Sequence, residues 1–255
     1  ISSYTFGAYP GVKKIILPSV KYVSSYAFAD CTDLETVEMP VVEEIGDRAF
    51  SGCSKLNYIK LPGTVTEIGD YVFRECSSLA EGGLTVDMSA VDAQKCTMGS
   101  DLFYANTNVH GVKKVILPAN IKEIPEEMFN GCENLEWVTY YTDKVDSDGN
   151  KILAGADNGN GVYLPEGVTY IHSEAFAGCS KITYAEIPAS VTDFGTDIST
   201  TYDKGIFGNC TALKEVKFLG NDNITRIPFN AFVNCSALVK VNLPLSVNQM
   251  LEAAF

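Results

Sequence analysis

The sequence predicts an α/β solenoid: a right-handed coil of about ten repeats, with a parallel sheet on one face and short helical turns on the other. Three observations predict this fold. A motif of 22–23 residues recurs along the 255-residue chain. Seven of the eight cysteines in the chain occupy one position of the motif, and seven of the ten prolines occupy another. One repeat of this length cannot bury its own apolar side chains, so stability requires stacked repeats.

The repeated motif reads V-x-x-I-x-x-x-A-F-x-x-C-x-x-L-x-x-V-x-L-P and is clearest in residues 20–40, 42–62 and 168–188. Aligned on its phenylalanine, the motif occurs ten times, at Phe6, Phe28, Phe50, Phe73, Phe103, Phe129, Phe176, Phe207, Phe232 and Phe255. Longer spacings mark insertions. We therefore predict one solenoid domain over residues 1–255, with a hairpin-like insertion at about 141–161.

The segment L-x-x-V-x-L-P predicts the strand of each repeat. Apolar and polar residues alternate in it, as in Val37-Glu38-Met39, and this is the period of a half-buried strand. The proline that follows ends the strand because it has no N–H to donate to the next coil. Strands of successive coils are expected to pair in parallel about 4.8 Å apart.

The segment x-A-F-x-x-C predicts a short helical turn. Asp47, Asp70 and Ser173 precede it in three repeats and are suited to cap a helix N-terminus. Ala, Phe, Cys and Leu recur at near-helical spacing and are expected to face inward. The phenylalanines should then form a stacked column inside the coil.

The cysteine column has two interpretations. The seven cysteines could form a ladder of disulfides or metal ligands, or they could be buried free thiols, a common environment for cysteine. Coils lie about 4.8 Å apart, which exceeds the Cβ separation of about 3.8 Å that a disulfide prefers. The spacing therefore favours free thiols.

The pattern AFxxCxxLxxVxLPxxVxxI resembles the BspA-like leucine-rich repeats of bacterial surface proteins, and the resemblance covers essentially the whole chain. It implies a leucine-rich-repeat solenoid and an extracellular or bacterial cell-surface location. It also implies adhesion in broad terms, since such proteins are described as binding host matrix proteins or other cells. The resemblance assigns no individual binding residue.

The outward side chains of the predicted sheet are the leading candidates for binding, because solenoids present extended strand faces to their partners. Trp137 is the only tryptophan and is expected next in register to Tyr184, an aromatic pair typical of binding hot spots. Trp137 could instead pack against the insertion. The predicted binding residues are Trp137, Tyr184, Tyr58, Lys60, Glu38, Asp87 and Glu186.

The mixed charges on this face favour a protein ligand from a host or microbial surface, by electrostatic complementarity. The leading prediction is therefore a non-catalytic interaction module for adhesion. A glycan-binding module and a structural stalk that presents another domain are the alternatives. The net charge of −13, from 19 basic and 32 acidic residues, argues against nucleic acid as a partner.

Catalytic and metal sites have weak support in the sequence. The two histidines, His110 and His172, have no partner that the repeat places beside them, so no catalytic residue and no cofactor is predicted. Residues 143–150 are similar to a calcium loop but lack its glycine and glutamate spacing. A hairpin is favoured there, with Lys144–Ser147 against Asn150–Leu153 and a type I′ turn at Asp148-Gly149, and no metal site is predicted.

Two further expectations concern the chain as a whole. No stretch approaches 18 consecutive apolar residues, so no membrane-spanning segment is predicted. Both ends fall within a repeat, and a solenoid end without a polar cap exposes its core to water. We therefore expect the first or last coil to be shielded by a neighbouring molecule or by residues beyond this chain.

Overall fold

A computed structural model describes residues 1–76, 83–104, 111–157, 159–195, 205–220 and 223–255. Short strands connected by turns make up these residues. In chain order the strands are β1 (Lys14–Ile16), β2 (Tyr22–Val23), β3 (Thr36–Glu38), β4 (Glu44–Ile45), β5 (Tyr58–Lys60), β6 (Glu67–Ile68), β7 (Leu84–Asp87), β8 (Thr97–Met98), β9 (Val112–Ile116), β10 (Glu123–Ile124), β11 (Trp137–Thr139), β12 (Tyr141–Val145), β13 (Lys151–Leu153), β14 (Val162–Tyr163), β15 (Tyr170–Ile171), β16 (Tyr184–Ile187), β17 (Asp193–Phe194), β18 (Glu215–Phe218), β19 (Arg226–Ile227), β20 (Lys240–Asn242) and β21 (Gln249–Met250).

The principal sheet has ten parallel strands in the order β1-β3-β5-β7-β9-β11-β14-β16-β18-β20. Each coil contributes one strand, and the middle residue of each strand faces inward. Ile15, Val37 and Ile59 are successive members of this buried column, in register across β1, β3 and β5. The predicted solenoid with a parallel sheet on one face is therefore confirmed, but the coil is a β-solenoid and not the predicted α/β one.

A second side of the coil consists of two-residue strands in three parallel groups, β2-β4-β6-β8, β10-β15-β17 and β19-β21. The isoleucine or valine that ends such a strand is buried, as at Val23, Ile45 and Ile68. These residues are the second apolar position of the V-x-x-I segment. They fill the corner of the core opposite the principal sheet.

The third side consists of turns, and the prediction of short helical turns is wrong: the described residues contain no α-helix. The residue two positions before each repeat phenylalanine has a positive φ, which an α-helix does not allow. These residues are Tyr4, Tyr26, Arg48, Tyr71, Asp101, Glu127, Glu174, Gly205, Asn230 and Ala253. A second positive φ follows the phenylalanine by two positions in most coils, so consecutive β-turns replace the helix.

Hydrogen bonds explain why this turn run is stable. One amide closes a turn within its own coil, as when Ala27 N–H donates to the Ser24 carbonyl at 3.1 Å. The next amide points along the solenoid axis, as when Phe28 N–H donates to the Ala49 carbonyl of the following coil at 2.8 Å. A helix would use every amide internally, whereas the turn run donates alternate amides to its neighbour.

The predicted helix caps take part in the same stacking. Asp47 Oδ1 accepts from the Asp70 amide of the following coil at 3.0 Å, and Asp70 Oδ1 accepts from the Ser100 amide at 2.8 Å. Ser173 Oγ donates to Glu126 Oε1 at 2.9 Å. Asp47 and Asp70 therefore connect coils and do not cap helices.

The phenylalanine column is confirmed. Successive rings from Phe6 to Phe255 stack with centroids 5.1–6.0 Å apart and interplanar angles of at most 23°. The seven cysteines of the repeat lie beside this column as buried free thiols. Each Sγ lies 2.9–3.3 Å from the carbonyl oxygen of the repeat phenylalanine in the preceding coil, where the thiol donates a hydrogen bond.

The long insertion contains an antiparallel hairpin and one strand of the principal sheet. β12 pairs with β13 in the hairpin, and β14 lies between β11 and β16 in the sheet. On the turn side no layer is added, because Phe129 stacks directly on Phe176 at 5.2 Å. β10 likewise pairs directly with β15 on the second side, so the insertion is a coil that has only its principal-sheet strand and has a hairpin in place of the other two sides.

The predicted type I′ turn at the hairpin tip is wrong. Strand pairing ends at Val145 and Lys151, which leaves a longer loop than two residues. Gly149 has a φ of 83°, but Asp148 does not have the positive φ that a type I′ turn requires. Asp146 Oδ1 organises the loop instead by accepting from the Asp148 amide at 2.9 Å.

Candidate functional site

The outward side of the principal sheet, called the strand face below, carries two columns of side chains. The strand register places one residue of each coil in each column. The first column is Lys14, Thr36, Tyr58, Thr85, Lys114, Trp137, Gly161, Tyr184, Glu215 and Lys240. The second column is Ile16, Glu38, Lys60, Asp87, Ile116, Thr139, Tyr163, Glu186, Lys217 and Asn242. All seven predicted binding residues fall in these two columns.

The predicted pairing of Trp137 with Tyr184 is wrong. β14 intervenes, and Val162 pairs with Val138 on one side and with Ala185 on the other. Gly161 therefore occupies the first-column position between the two aromatic residues. The signal was present in the sequence, because Val162 begins a V-x-L-P segment that ends at Pro165 as in other repeats.

Trp137 is half-buried and packs against a cation. The Lys114 ammonium lies 4.0 Å from the centroid of the indole ring, within cation–π range. Burial lowers the pKa of Lys114, and the nearby Asp87 carboxylate opposes this effect. Within the described residues the buried indole N–H has no hydrogen-bond acceptor.

The hairpin of β12 and β13 lies over the middle of the second column. Ile16 and Ile116 occupy equivalent positions, but 57% of Ile16 is exposed and only 5% of Ile116. Asp87 and Thr139, which flank Ile116 in the second column, are buried as well. Thr139 Oγ1 donates to the Ala154 carbonyl at 2.8 Å, which ties the base of the hairpin to the sheet. The hairpin therefore divides the strand face into two parts.

The first part, before the hairpin, is organised around Asp87. Its carboxylate accepts from the Tyr58 hydroxyl at 3.2 Å and from the Ser89 amide at 2.9 Å, and it lies 3.9 Å from the Lys60 ammonium. Burial, together with the Asp87 charge, raises the pKa of Tyr58 to about 12. Asp87 is thus inaccessible and holds the exposed side chains of Tyr58 and Lys60 in place.

Glu38 lies farther along the second column, toward the first coil. Its carboxylate forms an exposed ion pair with the Lys14 ammonium at 2.6 Å. Such pairs contribute little to stability, about 0–1 kcal/mol. Glu38 is therefore accessible to a partner.

The second part, after the hairpin, is open and carries alternating charges. The Tyr184 hydroxyl donates to Glu186 Oε2 at 2.8 Å, and Lys217 Nζ lies 3.5 Å from the same oxygen. Lys240 Nζ pairs with Glu215 Oε1 at 2.7 Å. Burial and the hydrogen bond to Glu186 raise the pKa of Tyr184, so the phenol stays neutral at physiological pH. This surface offers an aromatic ring and preorganised charges.

The described residues provide no constellation for nucleophilic catalysis. His172 Nε2 lies 3.1 Å from Glu123 Oε2, and its ring lies edge-on to Tyr170. Burial raises the pKa of every thiol in the column, for example to about 12 at Cys76, which disfavours the reactive thiolate. The described part of the chain has no group of three or more His, Cys, Asp or Glu that could hold a metal ion. His110 lies outside the described residues.

Sequence reasoning missed a second aromatic surface, on the turn side of the first coils. Arg48 lies between the rings of Tyr26 and Tyr71, 5.6 and 4.5 Å from their centroids, and donates to the Tyr26 hydroxyl at 2.9 Å. Arg74 lies between Tyr71 and Tyr104 in the same way. We call these residues, together with Tyr4 stacked on Tyr26, the Tyr–Arg ladder. The available signal was the recurrence of Tyr4, Tyr26, Arg48 and Tyr71 two residues before the repeat phenylalanine.

Comparison with known families settles the relationship of the chain. The profile of the BspA type leucine rich repeat region matches in six copies, over residues 1–96, 96–199 and 196–255. The chain belongs to this family. The BspA-type repeat thus accounts for the whole solenoid, as the resemblance of the motif implied.

Similar solved structures come from several bacteria. A leucine-rich repeat protein from Bacteroides ovatus is 20% identical, with a TM-score of 0.50 and coverage of 98% of this chain and 77% of that one. A leucine-rich repeat protein of T. pallidum is 24% identical, with a TM-score of 0.49 and coverage of 89% and 78%. A leucine-rich cell surface protein from Faecalibacterium prausnitzii is 22% identical, with a TM-score of 0.41 and coverage of 99% and 73%.

A search of curated proteins gives no significant match. Within the described residues, no helix has the length and apolar character needed to cross a membrane.

Proposed function

We propose that this BspA-type repeat chain is a non-catalytic interaction module displayed outside a bacterial cell, where its strand face binds a protein of a host or of another microbe. The family is a repeat scaffold consistent with protein interaction. The observation that carries the proposal is the open part of the strand face. There Tyr184 lies beside the charged side chains of Glu186 and Lys217, which a hydrogen bond and an ion pair hold in a fixed orientation.

The proposed contact residues follow from accessibility. Tyr184, Glu186, Tyr58, Lys60 and Glu38 present side chains to solvent on the strand face. A tyrosine whose hydroxyl is already oriented contributes a rigid, amphipathic contact at low entropic cost. Protein partners also suit the alternating charges, because charge complementarity fixes register and partner choice.

Trp137 and Asp87 have supporting roles in this proposal. Asp87 is buried and acts through the Tyr58 and Lys60 side chains that it holds. Trp137 acts with Lys114, which covers one face of its ring. Its indole N–H is buried and unpaired, so a protein ligand could accept a hydrogen bond from it only after local rearrangement of the strand face.

Glycan binding and a stalk that presents another domain are the rival functions. Tyr184 favours glycan binding, because its partly exposed ring offers a stacking surface to a sugar, whereas the Tyr163 ring 5.7 Å away is buried. The regular stacking of coils favours the stalk. Protein binding and glycan binding both require an accessible recognition surface, whereas a stalk does not.

An array of purified host matrix proteins and microbial surface proteins, run beside a glycan array, tests the proposal. The diagnostic variant is Tyr184→Ala with Lys217→Ala. Its matched control is Tyr22→Ala with Lys21→Ala, which removes the same side chains from the second side of the solenoid. We expect a protein ligand whose affinity falls at least about tenfold in the diagnostic variant and stays unchanged in the control.

Other outcomes identify the rival functions. Binding to glycans alone would support the glycan-binding module. An absence of binding on both arrays would favour the stalk. A protein ligand with equal affinity for both variants would show that the strand face is not the contact surface.

A further inference from the structure

The hairpin encloses a groove together with the strand face. The groove has a volume of about 440 Å³, which falls within the range of about 300–1,000 Å³ typical of ligand clefts. One wall comes from the hairpin and the other from the sheet and the segments that follow β7 and β9. The described lining residues are Lys60, Ser89, Leu117, Ala119, Tyr141, Asn150 and Lys151.

The charge of this groove opposes that of the protein. The chain carries 32 acidic residues, yet the described lining of the groove contains two lysines and no carboxylate. The Lys151 ammonium is exposed and forms no ion pair within the described part of the chain. The Lys60 ammonium is exposed as well, and its nearest carboxylate, that of Asp87, is buried and 3.9 Å away.

The open part of the strand face differs in this respect. Its cleft is lined by Tyr184, Glu186, Glu215, Lys217, Lys240 and Asn242, so that two lysines face two glutamates. Both lysines are paired with those glutamates, at 3.5 and 2.7 Å. A ligand at the open part therefore meets lysines that are paired with exposed glutamates, whereas a ligand in the groove meets Lys151, which has no ion pair in the described residues, and Lys60, whose only carboxylate partner is buried.

We propose that the groove between the hairpin and the strand face binds an extended acidic peptide segment of a partner protein. This inference rests on the proposed function and identifies the partner chemistry for one part of the strand face. Carboxylates of the segment would pair with Lys60 and Lys151, and its apolar side chains would contact Leu117 and Tyr141. Alternating acidic and apolar residues meet this requirement, because side chains of an extended segment alternate in direction.

The hairpin favours a peptide over an anionic glycan. β12 and β13 form an isolated two-stranded sheet, which leaves one open edge on each strand. An extended peptide can add to such an edge by backbone hydrogen bonds, with its side chains read by neighbouring pockets. A sugar chain has no equivalent main-chain donors and acceptors.

The test uses fluorescence polarisation with a labelled eight-residue peptide of alternating glutamate and valine. The matched probe replaces each glutamate with glutamine, and an oligogalacturonate of similar length represents an anionic glycan. The diagnostic variant of the full chain is Lys60→Gln with Lys151→Gln. The control is Lys21→Gln with Lys55→Gln, which removes two exposed lysines that lie outside the strand face.

We expect the acidic peptide to bind the wild type, the glutamine peptide to bind at least about tenfold more weakly, and raised salt to weaken binding of the acidic peptide. The affinity for the acidic peptide should fall at least about tenfold in the diagnostic variant and less than about twofold in the control. Circular dichroism should show that both variants fold as the wild type does.

Three results would overturn the proposal: no binding of the acidic peptide, equal loss in both variants, or binding of the oligogalacturonate in place of the peptide. None of these results touches the proposed function, which depends on a protein ligand sensitive to Tyr184 and Lys217. Conversely, loss of the proposed function would leave peptide binding at Lys60 and Lys151 measurable on its own.

Discussion

Single residues of the repeat have roles that stacking imposes. The phenylalanine is the largest fully buried side chain of the repeat, and the cysteine is a small buried side chain that also donates to a carbonyl of the preceding coil. For Cys53 that carbonyl belongs to Phe28, at 3.2 Å. Alanine would fill part of the space but would leave the carbonyl without this donor. The phenylalanine and cysteine positions of the motif are therefore linked by hydrogen bonds between coils.

Removing one ring tests the phenylalanine column. Phe50→Ala deletes a fully buried ring between Phe28 and Phe73, so the free energy of unfolding should fall by about 3–5 kcal/mol. Leu245→Ala is the control, because Leu245 is fully exposed and should change stability by less than about 0.5 kcal/mol. Urea denaturation measures both. A near-neutral result for Phe50→Ala would show that the column does not hold the core together.

The strand and the turn run differ in how well the sequence predicts them. Strand periodicity is visible because Val37 and Ile59 alternate with polar neighbours and are followed by proline. The turn run is hidden, because residues such as Tyr26, Arg48 and Glu174 adopt a positive φ without the glycine that normally signals it. Inter-coil hydrogen bonds offset this backbone strain, and a single repeat read alone does not reveal them.

Replacing a glycine of the turn run with alanine tests how closely the turn runs of adjacent coils pack. Gly178 has a φ of 77°, and an added Cβ would lie 3.3 Å from the Gly131 Cα of the adjacent coil. Gly149 at the hairpin tip has a similar φ of 83° but no neighbour within 4 Å. Gly178→Ala should therefore cost more than Gly149→Ala, whose cost should be about 1–2 kcal/mol from φ alone.

Thermal or urea unfolding of both glycine variants makes the comparison. A larger loss at Gly178 would show that close contact between turn runs stabilises the solenoid. Equal losses would mean that only the local φ matters, and this would contradict tight packing between the coils of Phe129 and Phe176.

At the scale of the whole molecule, the insertion gives the principal sheet one more layer than the turn side of the solenoid has. β14 adds a layer to the sheet, while Phe129 and Phe176 remain in direct contact on the turn side. The sequence predicted the hairpin from its turn residues, but the extra strand was missed because it has no phenylalanine of its own. The groove could not be predicted either, since it depends on where the hairpin lies relative to Lys60.

The column of seven thiols predicts a pH dependence for the whole fold. Burial raises the thiol pKa in the folded chain, to about 12 at Cys76 and about 11 at Cys235, above the value of about 8.5 in an unfolded chain. Between these values the unfolded state binds fewer protons than the folded state. The stability that the protonated thiols add to the folded state is therefore complete below pH of about 8.5. As the pH rises from there toward the folded pKa values, the free energy of unfolding falls by about 1.4 kcal/mol per pH unit for each thiol.

Urea denaturation from pH of about 8 to about 10.5 under reducing conditions checks this expectation. The double variant Cys53→Ala with Cys179→Ala removes two titrating thiols, so its stability should fall less steeply with pH than that of the wild type. The wild type and the variant can differ in their absolute free energy of unfolding, since the test compares only how steeply that free energy falls with pH. Identical slopes would indicate that these thiols ionise alike in both states.

The central claim is that the strand face recognises a protein partner. Amide hydrogen–deuterium exchange, measured with and without the protein ligand from the array, tests it most directly. The account predicts slower exchange in β16, β18 and the segments that follow them, with the turn runs unchanged. Protection confined to the turn side, around the Tyr–Arg ladder of Tyr26, Arg48 and Tyr71, would contradict the account and place recognition away from the strand face.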